Sequence, residues 1–319
     1  MSDAILVADI GGTNARFAMA RRNRKDISIH DSRKYRAKDF NTFHDAARTY
    51  LADVNATPIA ACIAAAGPVD GDDVRFTNSD WTLRASDIAD EMGLADVRIV
   101  NDFYALSTGV ARLGDDAFIS VKNGECVRGA PQLVLGPGTG FGQSLIVPVS
   151  GSHKVVATEG GHASFAALTD EEVQVRAFVA RDHPHVSIER ILSGPGLLAI
   201  YRALSFIMDK KCALRRPEDI TTAASSGADP VAVRTINMFC EMLGSVAGDA
   251  VLGAGARGGV ILGGGVLPNI REHLLNGAFT RRFVDKGPMT NYVSAVPVKL
   301  LIDDRAALIG AAAVFEGRT

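Results

Sequence analysis

No stretch of this sequence is both long and apolar enough to cross a membrane; its apolar runs are short and interrupted. The four cysteines (Cys62, Cys126, Cys212 and Cys240) are scattered without C-x-x-C spacing. Neither a disulfide framework nor a zinc site is expected from them, and a reducing cytoplasm fits. The N-terminus has neither the basic segment nor the apolar core of a secretory leader, and structure is expected to begin near Ile5. Basic runs and low-complexity tails are missing, and a net charge of −2 over 319 residues steers the chain to neither nucleic acid nor an anionic membrane. No G-x-x-x-x-G-K-[ST] occurs, which excludes a Walker A loop.

The composition, 47% apolar and 22% charged, is that of an ordinary globular protein long enough for two domains. Residues 4–8 (AILVA) read as a buried strand entering Asp9-Ile10-Gly11-Gly12-Thr13-Asn14, and Phe17 and Met19 alternate with Arg16, Ala18 and Ala20 as on a returning strand. The glycines therefore belong to a hairpin turn. Asn41 or Thr42 can cap a helix carrying Phe43, Ala46, Ala47, Tyr50, Leu51 and Val54. Residues 59–66 read as a buried parallel strand. Ser86 is expected to open a short helix that stops at Gly93, and a strand over 97–100 runs into Asn101-Asp102 and a further helix.

The pattern then restarts. Residues 132–135 (QLVL) lead to a glycine turn at 136–142, and 144–147 return, a weak internal repeat of strand, Thr-containing glycine turn and strand. Two copies of one α/β domain would bring both turns to a shared cleft. Further on, Ser193-Gly194-Pro195 opens a helix, a long helix covers roughly 230–254, strand 259–262 enters Gly263-Gly264-Gly265, and 304–316 form a last helix. Gly253-x-Gly255-x-x-Gly258 matches a dinucleotide fingerprint formally, but it follows a helix and precedes a strand, the reverse of the required context, and reads as a helix end. The domain boundary is expected near 112–116.

The pattern Asn101-Asp102 puts a carboxylate at a strand's C-terminal end and a helix's start, where open α/β sheets bind ligands. Asp102 can serve as a base toward an alcohol or as a helix cap; Asn101 can cap in its place. Consecutive N–H groups at Gly11, Gly12 and Thr13 form a nest for phosphate oxygens or a plain turn, with Asp9 positioned to hold Mg2+ through water. Gly138, Thr139 and Gly140 read as a second nest or a bulged turn. Gly263, Gly264 and Gly265 suit an adenine or ribose face, or a tight strand-to-helix turn. Glu159 and His162 on a glycine-rich loop, and Glu189 ahead of Ser193, suit sugar hydroxyls, which carboxylates bind through strong charge-assisted bonds. Dispersed metal ligands or a surface ion pair are the other readings. Asn78 and Trp81 fit a ligand-facing loop, or the Trp is a hydrophobic anchor. A carboxylate between two phosphate turns points to transfer of a phosphoryl group to a hydroxyl.

Taken together, Asp9-Ile10-Gly11-Gly12-Thr13-Asn14-Ala15-Arg16, Thr77-Asn78-x-x-Trp81, Asn101-Asp102-Phe103, Gly136-x-Gly138-Thr139-Gly140, Glu159-Gly160-Gly161-His162, Glu189-Arg190-x-Leu192-Ser193-Gly194-Pro195-Gly196 and Gly263-Gly264-Gly265 resemble the hexokinase-type sugar kinases of the actin-like ATPase superfamily. The nearer resemblance is to the bacterial ATP-dependent glucokinases outside the ROK group, whose cysteine cluster is missing here. The resemblance implies two actin-like (ribonuclease H-like) α/β domains with mixed sheets flanked by helices and a cleft between them. The smaller would comprise 1–112 plus about 303–319, and the larger 113–302. It implies ATP, Mg2+, phosphorylation of the glucose 6-hydroxyl, Asp102 as base, and the remaining sugar hydroxyls on Asn101, Glu159, His162 and Glu189. It implies nucleotide contacts at Asp9 to Asn14, Gly138 to Gly140 and Gly263 to Gly265. A cytoplasmic homodimer, with neither nucleic acid nor membrane as partner, completes the expectation. Pro137 and Phe141 depart from the small residues expected beside the second turn. The rival expectations are a kinase for fructose, mannose or N-acetylglucosamine, a sugar- or nucleotide-binding regulator without turnover, and an actin-like chaperone or cytoskeletal ATPase.

Overall fold

An apolar strand, β1 (Ala4–Ile10), turns at Gly11 and returns antiparallel as β2 (Asn14–Asn23), and β3 (Asp26–Arg36) extends the meander. The computed structural model describes residues 4–23, 26–67, 69–70, 73–75 and 81–315. The chain divides into two units, Met1–Ala117 with Asp303–Thr319, and Phe118–Ile302.

In the first unit, α1 (Phe43–Val54) starts where the Thr42 side chain accepts the Asp45 N–H. After it come β4 (Ala60–Ala65), a small sheet of β5 (Val69–Asp70), β6 (Asp73–Arg75) and β7 (Thr82–Arg84), then α2 (Ala85–Met92), β8 (Asp96–Asn101) and α3 (Asp102–Val110). The main sheet has the order β3-β2-β1-β4-β8, with β4 and β8 parallel to β1. Helix α2 begins one residue before the expected Ser86, and no side chain caps it. The edge strand β3 carries a weak sequence signal: Ile27, Ile29 and Tyr35 pack inward, but the exposed residues 30–34 between them are polar or charged and interrupt the alternation.

The second unit repeats the scheme. Its sheet runs β12-β11-β10-β13-β14-β9. The strands are β9 (Phe118–Lys122), β10 (Gln132–Pro137), β11 (Phe141–Val149), β12 (Ser152–Thr158), β13 (Val260–Leu262) and β14 (Val298–Leu301). Between β12 and β13 lie α4 (Asp170–Val179), α5 (Ile188–Ile191), α6 (Gly194–Ile207), α7 (Pro217–Ser225) and α8 (Pro230–Ala254), and between β13 and β14 lie α9 (Arg271–Leu275), α10 (Ala278–Val284) and α11 (Thr290–Ser294). The meander β10-β11-β12 is antiparallel, and β13 and β14 follow β10 in parallel. This matches the first sheet strand for strand, with β9 added antiparallel at the edge. The internal repeat is therefore a repeat of topology, the ribonuclease H-like arrangement found twice. Helix α8 ends on Gly255 in the left-handed region (φ 60°), so the formal dinucleotide fingerprint is a helix C-cap.

The last helix, α12 (Ala306–Ala313), belongs to the first unit. Alternate residues of β1 serve two cores, as a period of two requires. Leu6, Ala8 and Ile10 pack with Phe43, Ala46 and Tyr50 of α1, whereas Ile5 and Val7 pack with Leu308, Ala311 and Ala312 of α12. Helices α3 and α12 meet backbone to backbone, since a Cβ at Gly109 would enter the Ala306 carbonyl and one at Gly310 the Ala105 carbonyl. That contact fixes the helix whose first residue is Asp102. In the second unit Leu133 and Leu135 of β10 pack against the α6 and α8 residues Leu197, Tyr201, Leu204, Ile236, Phe239 and Leu243. Among the described residues no helix is long and apolar enough to cross a membrane.

Candidate active site

The first unit gathers its candidate residues at one edge of the sheet. Ile10, Ala65 and Asn101 stand in one register row at the C-terminal ends of β1, β4 and β8. The Gly11 turn and Asp102 thus leave the same edge, separated by two strand spacings or about 10 Å. The turn is closed by Gly11 N–H to Asn14 O at 2.9 Å and tied to β3's end by Ala37 N–H to Thr13 O at 3.0 Å. A Cβ at Gly11 would lie 3.8 Å from Asn14 O, an ordinary contact. The protein's own packing does not demand glycine there, so the missing side chain leaves room for a close-approaching ligand.

Asp9 pairs across the ladder with Arg16, and Arg16 with Lys34, so the three share a face. Burial pushes the Asp9 carboxyl above its usual range, while the Arg16 and Lys34 cations pull it back. Arg16 is also held by Asp304, with Nη1 to Oδ2 at 3.0 Å.

At the end of β8, Asn101 caps α3: its side chain accepts the Tyr104 N–H at 3.0 Å, and its Nδ2 donates to Gly67 O at 3.4 Å. Asp102 is the first helical residue, partly exposed, with Oδ1 accepting the Phe103 N–H at 2.9 Å. Trp81 is a hydrophobic anchor. It is buried edge-on against Phe43, with Nε1 donating to Phe40 O at 3.3 Å. Asn78, the remaining sugar candidate of this unit, lies outside the described residues.

In the second unit the turn is shorter than its glycine content suggests. Gly136 and Gly142 pair within the ladder, and only residues 138–140 form the turn, closed by Gly138 N–H to Gly140 O at 2.8 Å. Gly136 is glycine because β13's continuation passes over it, and a Cβ would enter the Gly263 carbonyl. A Cβ at Gly138 would meet nothing within 4 Å, so here, as at Gly11, the fold leaves space open. Pro137 ends β10, and its carbonyl accepts the Val266 N–H at 3.2 Å.

The two segments that carry the sugar candidates of this unit meet at Phe141, the first residue of β11. Glu189 Oε2 accepts the Phe141 N–H at 2.9 Å, and Gly161 presses against the Phe141 carbonyl. Gly161 lies in the 3-10 turn at Gly160–His162, where Glu159 Oε2 and His162 Nε2 stand 3.7 Å apart with 63% of each side chain exposed. The loop is stitched to α5 by Ile188 N–H to Ala163 O at 2.9 Å and by a His185 Nε2 contact with His162 O at 3.0 Å. His185 was not singled out from the sequence, and Phe141 stood out only as a departure from the expected small residue; a phenylalanine beside a glycine turn carries no sign that its backbone is the hub.

Gly263, Gly264 and Gly265 differ among themselves. Gly263 N–H donates to Leu135 O at 2.9 Å, and Gly264 (φ 94°) lies against the Pro137 carbonyl, so β10 accounts for the glycine at 264. A Cβ at Gly265 would meet nothing within 4 Å. Gly265, unlike Gly264, leaves room that the protein does not fill.

Among the described residues no group of three or more His, Cys, Asp or Glu could form a metal cage. Mg2+ that travels with nucleotide phosphates needs only one or two carboxylates and keeps several waters. Asp9, a single carboxylate beside an open glycine turn, fits that donor set.

A family model for glucokinase matches residues 6–318. A glucokinase from Chromohalobacter salexigens is 39% identical over 312 residues, covering 98% of this chain and 97% of its own. The crystal structure of a glucokinase from an Antarctic psychrotroph covers 100% of both chains at 37% identity, with a TM-score of 0.83. A glucokinase from Balamuthia mandrillaris, solved with glucose, shares the fold at 20% identity, with a TM-score of 0.85 over 99% of this chain and 94% of its own. The chain belongs to the glucokinase family.

Proposed function

We infer that the protein transfers the γ-phosphoryl group of ATP to the 6-hydroxyl of glucose, giving glucose 6-phosphate and ADP. Family membership over nearly the whole chain supports the reaction. The assignment of roles rests on one observation above the others: Asn101 takes the N-cap of α3, and Asp102, the partly exposed first residue of that helix, stands at the same sheet edge as the Gly11 turn.

Asp102 orients the 6-hydroxyl and accepts its proton as the oxygen attacks phosphorus. A new O–P bond forms, the bond to the β-phosphate oxygen breaks, and ADP leaves. A carboxylate with an ordinary pKa suffices, because the hydroxyl becomes acidic only as it bonds to phosphorus. Asn101, Glu159, His162 and Glu189 hold the other sugar hydroxyls, with Asn78 as a further candidate. The turn at Gly11, Gly12 and Thr13, with Ile10 and Asn14 at its ends, takes phosphate oxygens in the first unit. Gly138, Thr139 and Gly140 do so in the second. Gly265, with Gly263 and Gly264 behind it, faces the nucleoside. Asp9 would hold Mg2+ through water, and the ion would supply charge neutralisation on the phosphates. We further infer a cytoplasmic homodimer at the entry to glycolysis; these readings rest on the family resemblance.

The experiment is ADP release measured with glucose, fructose, mannose, N-acetylglucosamine or no sugar, each with and without Mg2+. Release that requires glucose and Mg2+ is expected. ADP formation indifferent to sugar would favour an actin-like ATPase, and ligand binding without ADP formation a regulator.

A further inference from the structure

The second glycine turn is gripped at both limbs by one short segment. Gly194, at the start of α6, donates its N–H to Gly138 O at 2.9 Å, and five residues earlier Glu189 accepts the Phe141 N–H at 2.9 Å. Ser193 caps α6 between them, accepting the Gly196 N–H at 3.0 Å, so the segment is itself fixed. The Glu189 carboxylate also presses on Gly140, where a Cβ would run into Oε2 but stand 3.8 Å from Oε1. One oxygen is thus committed to the turn while the other points away from Gly140. The partly exposed side chain can offer that second oxygen to a ligand.

We propose that Glu189 couples the two substrates: one carboxylate oxygen sets the Gly138–Phe141 turn for nucleotide phosphate, and the other takes a sugar hydroxyl. This rests on the sugar-kinase reading and adds a function to a residue that reading treats as a sugar contact alone. The physics is charge. An ionised carboxylate against a phosphate nest repels the nucleotide's tail, and a sugar hydroxyl donating to it spreads that charge and lowers the repulsion. Sugar in its subsite then tightens nucleotide binding, and by reciprocity nucleotide tightens sugar by the same factor. Glu159 is the internal control, since its carboxylate pairs with His162 rather than with the turn.

Calorimetric titration of full-length protein with AMPPNP, at zero and saturating glucose, measures the coupling as a ratio of affinities. The wild type is expected to bind the analogue about tenfold tighter with glucose, a coupling within the usual range. Glu189→Ala should bring the ratio near one. Gly140→Ala, which displaces the carboxylate from the turn but keeps it in the protein, should also lower the ratio. Glu159→Gln should weaken sugar binding yet keep the wild-type ratio. The same proteins' melting temperatures identify any variant that is misfolded, and Gly140→Ala then decides in place of Glu189→Ala. A wild-type ratio of one, or one that survives both Glu189→Ala and Gly140→Ala, overturns the coupling. Failure of the kinase reading is distinct: the wild type would then make no ADP in response to sugar.

Discussion

Asn101 caps α3 by accepting the Tyr104 N–H at 3.0 Å, and this cap separates the duties of two neighbours that are interchangeable on paper. Replacement of a capping Asn by Ala removes about 0.5–2 kcal/mol of stability. Asn101→Ala should therefore lower the unfolding free energy from urea titration by that amount, whereas Asn101→Asp, which retains a capping oxygen, should hold stability and lose the Nδ2 donor. Sugar affinity should fall in both. Equal stability of Asn101→Ala and wild type would show that the cap contributes nothing.

Glu172, buried, pairs with the partly buried Arg282, remote from the candidate residues in function. Glu172 is 1% exposed; its Oε1 lies 3.0 Å from Arg282 Nη2, and its Oε2 accepts the Leu168 and Thr169 N–H groups. Removing one partner of such a pair strands the other, typically at about 3–5 kcal/mol. Glu172→Ala should lose stability on that scale with unchanged KM for both substrates, checked by denaturant melts beside steady-state kinetics. A loss under about 1 kcal/mol would mean that Arg282 finds water.

Asp303, where the chain re-enters the first unit, is held below the ordinary carboxylate value of 3.8, first by its hydrogen bond from Arg305. Its folded-state pKa is depressed, so its stabilising contribution is present above 3.8 and is lost as pH falls through the lower folded value. The stability advantage of wild type over Asp303→Asn should be constant near neutrality and shrink below about pH 4. Thermal melts from pH 7 to 3 test this; an advantage that grew toward acid would reverse the sign.

The α3–α12 crossing has no room for a methyl at Gly109. Gly109→Ala should destabilise by about 1–3 kcal/mol through overpacking against the Ala306 carbonyl, despite alanine's better helix propensity. Because α3 starts at Asp102, kcat should fall as well, with glucose KM changed less. A stabilised Gly109→Ala would show that the helices can part.

The strand-and-turn skeleton was legible in the sequence wherever burial dictated residue type. The hairpin at Gly11, the Thr42 cap, the buried strand through Cys62 and Ile63, and the 230–254 helix follow from alternation, capping and helical period. The edge strand β3 was not legible, because its apolar alternation stops after Ile27 and Ile29, where the exposed residues 30–34 begin. Nor was the true length of the second turn. Gly136 looks like a turn glycine and is a strand residue, and the carbonyl of Gly263, distant in sequence, makes glycine necessary there. The sugar candidates show the same limit. Residue type singled out Glu159, His162 and Glu189, but the meeting of Glu189 and of the Gly161 turn at the Phe141 backbone depends on tertiary contacts that no local pattern records.

The central claim is that Asp102 is the base, and Asp102→Asn tests it most directly. Kinetics of glucose-dependent ADP release, run beside calorimetric glucose binding, should show kcat reduced by about 10²–10⁴-fold with sugar affinity held within several-fold of wild type. Turnover close to wild type in a variant that still binds glucose would contradict the account.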